Sequence, residues 1–169
     1  MENYFGTLYL NLADRLKTAV PELRWIDQDF GQLERFEYRP EVSFPCVLID
    51  FVNATYSQMA ELSQLGEVAV QLRLGLAPFS QSYQIAPQDV KEKALEYYTI
   101  EQKVFQAIHG WHNDFCQPLI RQSAITEHRD NDPIGLRVRI LTFMTAFEDN
   151  SNFPVYTKNP ATLELDITP

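Results

Sequence analysis

Glycine is scarce in this chain. There are 6 in 169 residues and none are clustered, which excludes a glycine-rich loop that cradles phosphate. Cysteine is scarcer still. Cys46 and Cys116 are the only two, too few for a disulfide framework. One bridge between them is possible in principle, but a chain of this size does not require it. Cys46 lies in the apolar run of residues 44–49 and would make a poor thiolate. Two buried thiols in a reducing compartment are expected. Basic residues are also few, 14 Lys and Arg against 23 Asp and Glu, for a formal charge of -9. That balance repels nucleic acid and anionic lipid unless a local patch overrides it. Arg137 and Arg139 alternate closely, as on one face of a strand, and the basic residues are otherwise scattered. No apolar stretch approaches the roughly 20 residues that span a bilayer. Residues 1–5 lack the basic start and apolar core of a signal peptide, so a cytosolic protein is expected.

What is present suits a globular fold. The apolar share is 45% and the aromatic share 12%, which argues against disorder. A chain this long buries roughly two-thirds of its unfolded surface without staples. One α+β domain over residues 1–149 is expected, with residues 150–169 as a C-terminal arm or edge strand.

Residues 4–20 read as an amphipathic helix, since Phe5, Leu8, Leu12, Leu16 and Ala19 recur at steps of three and four. Pro21 ends it. Residues 23–30 form a short extended candidate. Residues 31–43, with Pro40, read as a loop. Residues 46–52 are the clearest buried strand, entered at Pro45. Residues 53–65 are polar and weakly patterned, and read as a loop or short helix. Residues 67–76 alternate, with Val68, Val70, Leu72, Leu74 and Leu76 on one side and Glu67, Gln71 and Arg73 on a wetter one. An exposed loop over residues 78–87 leads into a second helix over 87–111, opened by Pro87 and closed near Gly110. Residues 119–127 and 134–147 make a hairpin across a turn at 129–133. Leu136, Val138, Ile140, Thr142, Met144 and Ala146 share one face of the second strand. Val70, Leu72, Leu74, Val138 and Ile140 are expected to be buried together beneath the helices. The simplest solution is a two-layer sandwich: a mixed or mostly antiparallel sheet of four to five strands with two main helices on one face.

Candidate chemistry is thin. His109 and His112 are spaced to share a metal, with Asp114 and Cys116 as the nearest further ligands, but the spacing matches no zinc signature. Helix-end polar residues are the ordinary reading, and no metal or cofactor is expected. Asp27 and Asp29 alternate and face one way, as paired carboxylates do in acid–base work. Strands with a solvated face carry such pairs routinely. Residues 127–132, Glu-His-Arg-Asp-Asn-Asp, contain active-site residue types but lie at a hairpin tip, where charge is expected. No serine nucleophile elbow is present, and no catalytic function is expected. Self-association has stronger motives. Tyr97 and Tyr98 point about 100° apart on a helix, Phe143 and Phe147 lie on the second face of the long strand, and Leu163, Leu165 and Ile167 alternate in the tail. These seven residues are the interface candidates.

The order of elements resembles the tail-completion, or tail-terminator, proteins of long-tailed bacteriophages, prophages and related contractile particles. The resemblance rests on the first helix at 4–20, the Pro-led strand Phe44-Pro45-Cys46-Val47-Leu48-Ile49-Asp50, and the alternating strand at 67–76. A helix ending in Ala107-Ile108-His109-Gly110-Trp111 and a final hairpin at 120–147 complete it. It implies a structural protein of the virion tail, made in the bacterial cytoplasm. Such proteins form a ring, a hexamer, at the head-proximal end of the tail tube, halt its growth and present a surface for head joining. The partners it implies are further copies of the chain, tail-tube proteins and head-joining proteins, without sequence-specific nucleic acid or membrane. Two other readings differ in kind: a monomeric cytosolic adaptor, and a small enzyme built on Asp27, Asp29 and the hairpin tip.

Overall fold

A computed structural model describes residues 3–34, 42–77, 82–129 and 135–152. Helix α1 spans Tyr4–Ala19. Asn3 caps it, its side-chain oxygen accepting the Gly6 N–H at 3.1 Å, as a first helical turn requires. Leu8, Leu12 and Leu16 are fully buried along its inner stripe. Strand β1 is short, Trp25–Gln28. Strands β2, Cys46–Ala60, and β3, Ser63–Leu76, form a long antiparallel hairpin. Helix α2 spans Gln88–Ile108, and Gly110 follows it with φ +77, a left-handed stop natural to glycine. Strands β4, Ile120–Glu127, and β5, Arg137–Asp149, close the described chain. The five strands lie in the order β1-β2-β3-β5-β4, with β1 parallel to β2 and the rest antiparallel. This is the expected α+β architecture with a mixed sheet.

Three expectations need correction. Residues 53–65 are neither loop nor helix: they complete the β2–β3 hairpin. Their side chains are mostly exposed on both sides, so no alternation marks them. Second, Val138 and Ile140 lie opposite the helices. Register pairs Leu72 with Leu141 and Val70 with Phe143, but Arg73 with Ile140 and Gly75 with Val138. Val70, Leu72 and Leu74 therefore join α1 and α2 in the main core with Leu141, Phe143 and Phe147. Val138 belongs to a second cluster on the other face with Leu33, Cys46, Leu48 and Leu136, and Ile140 is only partly buried. Third, Arg73 is not on a wetter face. It is 6% exposed, flanked by that second cluster.

Phe147 explains one glycine. Its ring stacks on Tyr4 with centroids 3.4 Å apart and lies opposite Gly66 on β3. A Cβ at Gly66 would come within 2.5 Å of the ring. Gly66→Ala is therefore expected to destabilise the chain by about 1–3 kcal/mol through overpacking. A urea midpoint unchanged from the parent would show that the ring has room to move.

Candidate functional site: the open sheet face and its free edge

Each sequence-predicted site residue has a place. Asp27 accepts the Gln28 N–H at 2.8 Å. Asp29 accepts the Gly31 N–H at 3.0 Å and pairs with Arg73 at 2.9 Å. The two carboxylates share a side of the sheet, but both are engaged locally. Arg73 also meets Glu127 and Glu34, each at 2.8 Å. Burial alone would lower the Arg73 pKa, and the flanking Asp29 and Glu127 carboxylates override it and raise it. His109 is spent on structure: Nδ1 accepts the Arg121 N–H at 3.2 Å and its ring stacks on Phe105. His112 is exposed. Among the described residues, no group of three or more potential ligands is placed to hold a metal ion. Of the hairpin tip, Asp130, Asn131 and Asp132 lie outside the described residues; Arg129 approaches Glu127 at 3.5 Å and donates to the Leu33 carbonyl.

The interface candidates divide. The Tyr97 and Tyr98 rings lie tilted against each other with centroids 4.2 Å apart, and the Arg137 guanidinium is 4.7 Å from the Tyr97 ring centre. Burial, and then its hydrogen bond with Tyr98, pushes the Tyr97 hydroxyl up to about 12. Tyr98 remains half exposed. Phe143 and Phe147 are buried in the main core and are unavailable to a partner within a folded chain. Alternation gives the strand's parity but not its sides: Arg137 and Arg139 face the helices. There Arg139 is neutralised by Glu101 of α2 through two contacts, at 2.8 and 2.9 Å. Leu163, Leu165 and Ile167 lie outside the described residues.

The surface that remains open lies on the face away from the helices. Cross-strand register sets Ile125 beside Ile140 and Ile120 beside Met144, with Ala69 next in line on β3. Ile120 is 45% and Ile125 57% exposed, while Ile140 and Met144 are partly buried. The row ends where the second cluster begins. It lies beside an outer border: past Arg121, whose N–H is taken by His109, β4 pairs with β5 alone among the described residues. A second free border runs along β2 from residue 53 to 60, beyond the reach of β1, and there Tyr56 and Met59 are exposed. Sequence reasoning missed both, although Ile120 and Ile125 stand in an otherwise polar strand. A groove of about 640 Å³ lies among Tyr4, Asp114, Cys116, Glu148 and Asp149. The Tyr4 hydroxyl is buried there without a partner among the described residues, and burial raises its pKa.

Cys46 and Cys116 are buried and not disulfide-bonded, and burial pushes the Cys116 thiol up. Alkylation at pH 8 is expected to be slow at both until denaturant is added. A thiol count of two at native rates would contradict their burial.

No family model matches the chain, and no curated protein matches it. Among solved structures it is similar to a chain of the "Virion of native gene transfer agent (GTA) particle", at a TM-score of 0.39 and 12% identity, over 85% of this chain and 91% of that one. No helix among the described residues is long and apolar enough to cross a membrane.

Proposed function

We propose that this chain is a structural protein of a phage or prophage tail that assembles head-to-tail into a ring, caps the tail tube and offers a head-joining surface. The observation that supports this most is the pair of strand borders left without a further strand among the described residues, β4 and the outer half of β2, on opposite sides of one sheet. Head-to-tail closure needs two different surfaces on each subunit. Exposed apolar side chains at both borders give such contacts an energetic reason. The element order that resembles tail terminators is compatible with this, and the acidic charge suits a ring that lets DNA pass without sticking. Catalysis is not part of the proposal, because Asp27 and Asp29 already have local partners.

The test is mass in solution by light scattering, with negative-stain imaging, for the chain alone and with isolated tail tubes. Rings of six copies, or binding confined to one tube end, are expected. A monomer at every concentration that ignores tube ends would overturn the reading and favour the adaptor.

A further inference from the structure

We propose that the free border of β4, with the open row of Ile120, Ile125, Ile140 and Met144, accepts residues 162–167 of a second copy of this chain as an added strand. This rests on the reading that the chain self-assembles. The Arg121 N–H is already taken by His109, so the border open to an added strand is residues 122–127. These have no second strand partner among the described residues, and such an edge presents N–H and C=O groups that an extended segment can pair with. Residues 162–167 read Thr-Leu-Glu-Leu-Asp-Ile. As a strand they would set Leu163, Leu165 and Ile167 on one face and Glu164 and Asp166 on the other. Beside β4, the apolar face would continue the exposed Ile120 and Ile125 row. The acidic face would then lie on the side of Arg121. That guanidinium sits 3.8 Å from the Phe105 ring centre and pairs with no carboxylate among the described residues.

Other acceptors match less well. The β2 border carries the exposed Tyr56 and Met59, but Met59 falls at a register shift and Asn53, Thr55, Ser57 and Gln58 surround them, with Glu61 and Glu67 nearby. Its apolar residues therefore do not line up in a row, and it offers no cation for the two acids. The groove near Tyr4 carries Asp114, Glu148 and Asp149 and would repel them. Geometry favours a neighbour's tail over the chain's own. The chain leaves β5 at the end where β4 begins, so its own tail would have to add parallel to β4. Its path is flanked by the segment that follows α2, which bonds Gly110 to Leu119, Leu119 to Trp111 and Gln117 to Ala146. A second copy is free to add in the antiparallel sense, the more stable pairing. The ten residues from 153 to 162 reach roughly 33 Å when extended, enough to cross to an adjacent subunit.

The test mixes two full-length variants, Ile125→Cys and Leu165→Cys, under mild oxidation, with the parent chain controlling for Cys46 and Cys116. An interchain disulfide at least tenfold above either variant alone is expected. No such product, or only an intrachain product in the Ile125→Cys/Leu165→Cys double variant, overturns the proposal. Hydrogen exchange at residues 122–127 provides an independent reading. It should quicken at least tenfold in full-length Leu163→Asp/Leu165→Asp/Ile167→Asp, and equal rates overturn the proposal. Mass in solution separates the two readings: rings that persist in that triple variant with unchanged exchange remove the tail contact and leave the ring. A parent chain that is always monomeric removes both.

Discussion

Arg73→Ala is expected to cost about 3–5 kcal/mol of folding stability, the usual loss when one partner of a buried ion pair is removed. The guanidinium is 7% exposed and Asp29 beside it 9%. It also holds Glu127, on β4, against Glu34 in the segment after β1. Removing it leaves three carboxylates facing one another over the second apolar cluster, two of them shielded from water. The cost should depend weakly on salt, because shielded charges are screened less than surface ones. Glu34 is 55% exposed, so Glu34→Ala should cost under about 1 kcal/mol. Asp29→Asn placed in the Arg73→Ala background should recover part of the loss, since one uncompensated charge is gone. Urea unfolding of the parent, Arg73→Ala, Asp29→Asn and the double variant forms a double-mutant cycle. Additive losses would show that Arg73 and Asp29 are not coupled.

Arg73 also marks where the sequence stopped being legible. Helix α1 was readable because Leu8, Leu12 and Leu16 repeat at helical spacing and Pro21 forbids continuation. The start of β2 was readable because four successive residues from Cys46 are buried, and such a run has few other homes. Residues 53–60 were not, because an outer half-strand exposed on both faces has no reason to alternate. Alternation in β3 and β5 gave the parity of each strand but not which side met the helices. Both faces carry apolar residues because both are covered, one by the helices and the other, over part of its area, by Leu33 and Phe44. An arginine inside β3 then looked like a marker of water. It is a buried cation whose partners, Asp29 and Glu127, lie 44 and 54 residues away, a distance over which no local pattern operates. Two of the seven interface candidates, Phe143 and Phe147, lie in the core for the same reason. Large aromatics on the second face of β5 looked surplus to a one-sided core, whereas they are that core. The isoleucines on the open face carry no local signal, because a lone exposed isoleucine is ordinary until register sets it beside another.

That exchange of sides has a consequence that can be measured. Phe143 is fully buried, pairs across to Val70 and sits next to the Leu72–Leu141 pair beneath the helices. Phe143→Ala should destabilise the chain by about 3–5 kcal/mol, through lost transfer energy and the cavity left behind. Its neighbour in the same strand should behave in the opposite way. Ile140 faces away from the helices beside the exposed Ile125. Ile140→Ser keeps the strand but shortens the apolar row, so it should cost under about 1.5 kcal/mol in the isolated chain. If the open row is an interface, that same substitution should lower self-association at least tenfold while leaving the urea midpoint near the parent value. The two variants thus separate a residue that holds the fold from one that holds a partner. Were the helices on the other side, the order would invert: Ile140→Ser would unfold the chain and Phe143→Ala would spare it. Equal stability losses at both positions would mean that the sheet is covered on both faces along its whole length, with no open row left to bind anything.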